Sequence, residues 1–181
     1  MVHMGTAPGF TIHATKKLLD RVKQPLAEPV EPESALGNFY ATALFWKPQV
    51  ALVVNERTFL PVLMPLAPAT TLADRFPAAL RAVLDAHGVD PRFVDAEIKA
   101  MGVGRYAKTA SRSVLGVMNE YGYLGARYNE NPDDPNGPNG LVSIALWLAQ
   151  VPVGPLRRRH GFPDRELHAL VEAELEPKPG R

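Results

Sequence analysis

From Phe39 the chain runs F-Y-A-T-A-L-F-W, then V-A-L-V-V from Val50 and F-L-P-V-L-M from Phe59, with K-P-Q and N-E-R-T between them. Short apolar runs rich in aromatic and branched residues, bounded by turn formers, predict three adjacent antiparallel strands. V-A-L-V-V has no polar face, so it belongs inside the sheet, covered on both sides. Pro61 has no N–H to give to a ladder, which puts the third strand at an edge or at a bulge. Phe10 to His13 predicts a further short strand.

Elsewhere the apolar spacing is helical. Behind Thr15, a predicted N-cap, K-K-L-L-D-R-V carries Leu18, Leu19 and Val22 on one side. Thr71 and Asp74 resemble a capping box ahead of Leu72, Phe76, Ala79, Leu80, Val83 and Leu84, and Gly88 stops that helix. Asp90 caps a helix with Phe93, Val94, Ile98 and Met101, and G-V-G-R-Y-A-K-T from Gly102 reads as a loop or short strand. Ser111 caps the next helix, whose buried stripe is Val114, Leu115, Met118 and Tyr121. Asn139 or Gly140 opens a helix through Leu148, and Asp164 opens the last. Gln24 to Gly37, rich in proline and glutamate, reads as a surface connection. Strands early and helices late predict an α+β fold: a small antiparallel sheet of three to five strands with about five to six helices packed on it. The expected unit is one globular domain over residues 10–175, with flexible tails at 1–9 and 176–181.

Composition narrows the chemistry. The 181 residues include no cysteine, which excludes disulfides, thiolate metal sites and a cysteine nucleophile and fits a reducing, cytoplasmic setting. No stretch reaches the roughly 18 apolar residues that a membrane span requires. Twenty Lys and Arg against 19 Asp and Glu give a formal charge of +1, so any site for a polyanion must be local. The five histidines form no H-E-x-x-H grouping, and the acidic loop Glu130 to Asn139 does not match a calcium loop. Neither a metal nor a cofactor is expected. G-x-S-x-G elbows and P-loops are also absent from the sequence.

The candidate site lies on the polar side of the helix behind Ser111. Arg112, Gly116, Asn119 and Tyr123 share one sector and Ser113, Glu120 and Arg127 its flank, because residues three, four and seven apart stack. Gly116, Gly122 and Gly125 would together cost about 2–3 kcal/mol relative to alanine inside a helix, which predicts a close approach at Gly116 or a break near Gly122. Unpaired N–H groups at the helix start, with Arg112, Ser113 and Lys108, suit a phosphate or carboxylate. Lys16 and Lys17 begin the first helix against the preference of its dipole, which invites an anion, and Arg57 lies in the N-E-R-T turn. Arg157-Arg158-Arg159-His160 reads as a solvated loop.

Three blocks, T-K-K-L-L-D-R (Thr15 to Arg21), L-V-V-N-E-R-T with the following L-P-V-L (Leu52 to Leu63) and R-S-V-L-G-V-M-N-E-Y (Arg112 to Tyr121), resemble in order and spacing the signature blocks of an uncharacterised prokaryotic family, catalogued as a domain of unknown function. The resemblance covers roughly residues 10–170. It implies a bacterial intracellular protein and supplies no activity. The chain departs from the family at Ser111, often Asn, and at Val117, often Ser.

Together these features favour a non-catalytic or accessory binding module. Its local basic cleft, formed by Lys16, Lys17, Arg57, Lys108 and Arg112 with Ser113, Asn119 and Glu120, would take a phosphate-containing ligand, nucleic acid or a partner protein. A homodimer is compatible with this. One alternative is an enzyme acting on a phosphorylated or nucleotide substrate, with Arg112 stabilising charge and Glu120 or Asn119 orienting a water. The other is an interaction component of a mobile-element, defence or toxin–antitoxin type system.

Overall fold

The structure is a computed structural model and describes residues 7–129 and 140–180. The chain forms β1 (Gly9–Ala14), α1 (Lys16–Val22), β2 (Phe39–Leu44), β3 (Val50–Asn55), β4 (Pro61–Pro65), α2 (Leu72–Ala86), α3 (Pro91–Met101), β5 (Val103–Lys108), α4 (Arg112–Asn129), α5 (Gly140–Leu148) and α6 (Pro163–Leu175). The five strands lie in the order β4-β3-β2-β1-β5. β2, β3 and β4 form the expected antiparallel meander, with Pro61 on the edge strand. β1 lies between β2 and β5 and is parallel to both, so the sheet is mixed. The fold is α+β, and among the described residues no helix is long and apolar enough to cross a membrane.

Alternation along the strands sends side chains to two faces, and each face has its own core. Phe10, Ile12, Phe39, Ala41, Val53 and Val62 pack beneath Leu18 and Val22 of α1, Phe76 and Leu80 of α2 and Phe93 of α3. Tyr40, Leu52, Val54 and Leu63 pack on the other face beneath Val114, Val117, Met118 and Tyr121 of α4 and Ile144 and Leu148 of α5. β3 is buried along its whole length, as its unbroken apolar run requires. The buried phenol of Tyr121 donates to the Phe59 carbonyl at 2.9 Å and so ties α4 to the turn between β3 and β4. Gln24 to Gly37 skirts the open edge of β5: Leu26 bridges Tyr106, Ala27 donates to the Tyr106 carbonyl at 2.8 Å, and Val30 N–H reaches Thr11 Oγ1 at 3.1 Å.

Two expected caps give way to other hydrogen bonds. Thr15 and Thr71 precede their helices with no side-chain capping bond. The Thr15 hydroxyl instead meets Thr42 Oγ1 at 2.8 Å. That of Thr71 donates to the Pro68 carbonyl at 3.1 Å and accepts from Arg75. Asp90 and Ser111 do cap, accepting from Arg92 N–H at 2.8 Å and Val114 N–H at 3.3 Å. The sequence expectations for Glu130 to Asn139 lie outside the described residues.

Candidate functional site

β1 and β5 are parallel neighbours, with Ala14 opposite Lys108 at their carboxyl ends. Their continuations diverge. β1 passes through Thr15 into α1 on one face of the sheet, and β5 passes through Thr109 to Ser111 into α4 on the other. In open sheets with parallel strands, ligands lodge outside the carboxyl ends at the point, the crevice, where neighbouring connections leave to opposite faces. The side chains around this crevice come from the two connections. Lys16 and Lys17 begin α1, Lys108 ends β5, and Arg112 and Ser113 begin α4, all of them exposed.

The strand ends are pinned by groups the sequence did not single out. His13, buried on β1, donates from Nδ1 to the Lys108 carbonyl at 2.9 Å, which ties the two strand ends together. Its ring stacks on Tyr40 of β2, with centroids 4.7 Å apart and planes 20° apart. Burial raises the Tyr40 phenol above its usual range and the Glu56 carboxylate adds to this, opposed by the backbone N–H groups of Ala110 and Ser111. The loop into α4 therefore rests on a buried aromatic pair. Alternation in F-T-I-H-A places Thr11 and His13 on one face, which was the only signal in the sequence.

The predicted residues separate into two groups. Lys16 reaches Asp20 at 3.9 Å with side chains 91% and 65% exposed, a pair worth little in water. Lys17 lies over the Phe45 ring, 5.8 Å from its centroid. Arg112 has no ion-pair partner among the described residues. Asn119 and Glu120 are exposed on the same helix, about 10 Å further along its axis at 1.5 Å per residue.

Arg57 does not join them. Phe39 faces Asn55 in the antiparallel register and Ile12 in the parallel one, so the turn after Asn55 leaves β3 beyond the amino end of β2, three strands across from Lys108. There Arg57 bonds the Ala35 carbonyl, and its own carbonyl accepts from Arg159 at 3.2 Å. The N-E-R-T block is a structural clasp. Asn55 is fully buried, donates to the Leu36 and Asn38 carbonyls at 2.7 and 3.3 Å, and accepts from Arg57 N–H, Thr58 N–H and the Thr58 hydroxyl at 3.1, 2.9 and 2.9 Å. The run of cations at Arg157 is also partly structural. Arg159 pairs with the buried carboxylate of Glu166, which His160 Nδ1 also meets at 2.8 Å.

α4 runs unbroken through its three glycines. The close approaches fall at Gly122, where an added Cβ would lie 3.1 Å from Leu44, and at Gly125, where it would lie 3.1 Å from Trp46. Nothing among the described residues lies within 4 Å of a Cβ on Gly116, so neither their packing nor their backbone needs that glycine. Gly116→Ala is expected to raise stability by about 0.5–1 kcal/mol, the helix-propensity difference, as measured by urea denaturation. A loss would show that the notch is filled by something else. Val117 is buried against the sheet, so the departure from the family there belongs to the core.

These features define an α+β protein with helices on both faces of a mixed five-stranded sheet. Its family is shown by comparison: the model of a domain of unknown function, DUF6933, matches residues 11–166, and the chain belongs to that family. Comparisons with curated proteins and with solved structures find no match.

Proposed function

We propose that the protein is a non-catalytic binding module, built on residues 10–175, that holds an anionic group outside the carboxyl ends of β1 and β5. One observation carries this reading: the two connections that diverge there bring Lys16, Lys17, Lys108 and Arg112 to one end of the sheet in a chain whose formal charge is only +1. The planar guanidinium of Arg112, exposed and without a carboxylate partner among the described residues, suits two oxygens of a phosphate or carboxylate. Ser111 and Ser113 add hydroxyls beside it. A chain of 181 residues without cysteine suits work in a reducing bacterial cytoplasm. The enzyme reading draws no support from Asn119 and Glu120, which stand on open helix surface about 10 Å from Arg112.

Thermal unfolding with inorganic phosphate, pyrophosphate and nucleotides tests the proposal. An anion at about 100 times its Kd stabilises the folded state by roughly 2.7 kcal/mol, and that gain is expected in wild type and lost in Arg112→Ala. Arg112→Ala alone is expected to change stability by less than about 0.5 kcal/mol, as an exposed position should. The absence of any anion-dependent shift in wild type would overturn the reading.

A further inference from the structure

We infer that the sheet end carrying this crevice docks single-stranded nucleic acid, with Phe45 as the platform on which a base stacks. The inference rests on the anion-binding reading above and names the polyanion that fits it.

Phe45 follows β2 directly and is 54% exposed, an unusual place for a large ring. Lys17 Nζ and Arg21 Cζ lie 5.8 and 5.2 Å from its centroid. They are four residues apart on α1 and so approach the ring from the same helix face. The ring is held by two cations and remains accessible to solvent. That combination suits a nucleotide: a base has an apolar face for the ring, and its phosphate is drawn by the flanking cations.

The surroundings extend the same chemistry. Beside Arg21 opens a groove of about 470 Å³, whose lining also includes Lys23, Pro48, Gln49 and Leu66. Asp20 is the one carboxylate among its lining residues. Gln49 accepts from Arg21 at 3.0 Å and so fixes that guanidinium between the groove and the ring. The five strands, at about 4.8 Å per gap, span roughly 19 Å, with Lys108 on β5 level with Ala41, Phe45 about 13 Å further along at the end of β2, and the groove towards β4. Cations beside an exposed aromatic ring complement a strand whose charge is regular and whose bases are unstacked. A duplex hides its base faces and cannot use the ring.

Fluorescence anisotropy with labelled oligo-dT and oligo-rU of roughly 10 nucleotides, and a duplex control, tests this. Wild type is expected to bind at least one of the single strands more tightly than duplex, and the two arms show whether DNA or RNA is preferred. The logarithm of affinity is expected to fall with log salt at a slope of about −1.5 to −3, near −0.7 for each of two to four phosphates. Phe45→Ala should weaken binding about tenfold or more, and Phe45→Trp should restore it. Binding that is unchanged by Phe45→Ala, or as tight to duplex, would overturn the inference. The two proposals fail separately. A pyrophosphate shift that survives in Phe45→Ala while no oligonucleotide binding depends on the ring removes only this inference; loss of both the pyrophosphate and the oligonucleotide response in wild type removes the earlier reading as well.

Discussion

Asn55→Ala is expected to lower folding stability by about 4 kcal/mol, seen as a lower urea midpoint. The side chain is fully buried and serves five hydrogen bonds, two given to the Leu36 and Asn38 carbonyls and three taken from Arg57 and Thr58. Removing it leaves buried donors and acceptors unmatched, at about 1–3 kcal/mol each before relaxation. The turn it holds also seats Phe59, whose φ of 60° is left-handed and whose carbonyl receives the Tyr121 hydroxyl. Loss of Asn55 therefore loosens both the meander and the anchorage of α4. A loss under about 1 kcal/mol would mean that the turn is held by other contacts.

The second large effect is acid sensitivity centred on His87. This residue caps the C-terminus of α2, its Nε2 is buried without a hydrogen-bond partner among the described residues, and its ring lies 6.4 Å from that of His168. Burial, with the neighbouring His168, lowers its pKa from 6.5 to about 4, while Asp164 opposes the shift. Between these values the unfolded chain binds a proton that the folded chain refuses, so stability is full above about pH 6.5 and drains away as pH falls towards 4. At 1.36 kcal/mol per pKa unit, and allowing for partial exposure, the loss is about 2–3 kcal/mol. Glu97 acts in the opposite sense. Burial raises its carboxyl against the Ala35 and Leu36 N–H groups, so its contribution falls as pH rises above the ordinary carboxylate range. Urea midpoints across pH 4–7 are expected to slope less in His87→Gln than in wild type; equal slopes would remove His87 as the cause.

Much of the fold was legible because the relevant signals are local. The apolar runs from Phe39 to Met64 are strands, and the spacing of Leu72 to Leu84 is a helix. β5 was obscured by Gly102 and Gly104, which break the apolar run, and its pairing with β1, some 90 residues earlier, leaves no trace in local periodicity. The capping roles expected of Thr15 and Thr71 yielded to other partners, Thr42 on the neighbouring strand and the Pro68 carbonyl three residues back. The candidate site was half legible. Cations at helix starts identified Lys16, Lys17 and Arg112, but only the parallel pairing of β1 with β5 puts them at one end of the sheet. The sheet register sends Arg57 beyond the amino end of β2, where the N-E-R-T block closes a turn. His13 and Tyr40 went unnoticed because a lone histidine in an apolar strand reads as core, which in part it is.

The most direct measurement of the central claim is a titration of isotope-labelled protein with pyrophosphate, followed by amide NMR. The predicted result is saturable shifts confined to Thr15–Lys17 and Lys108–Leu115, with the Asn55–Thr58 turn three strands away unmoved. Shifts centred on that turn, or none at saturating ligand, would contradict it.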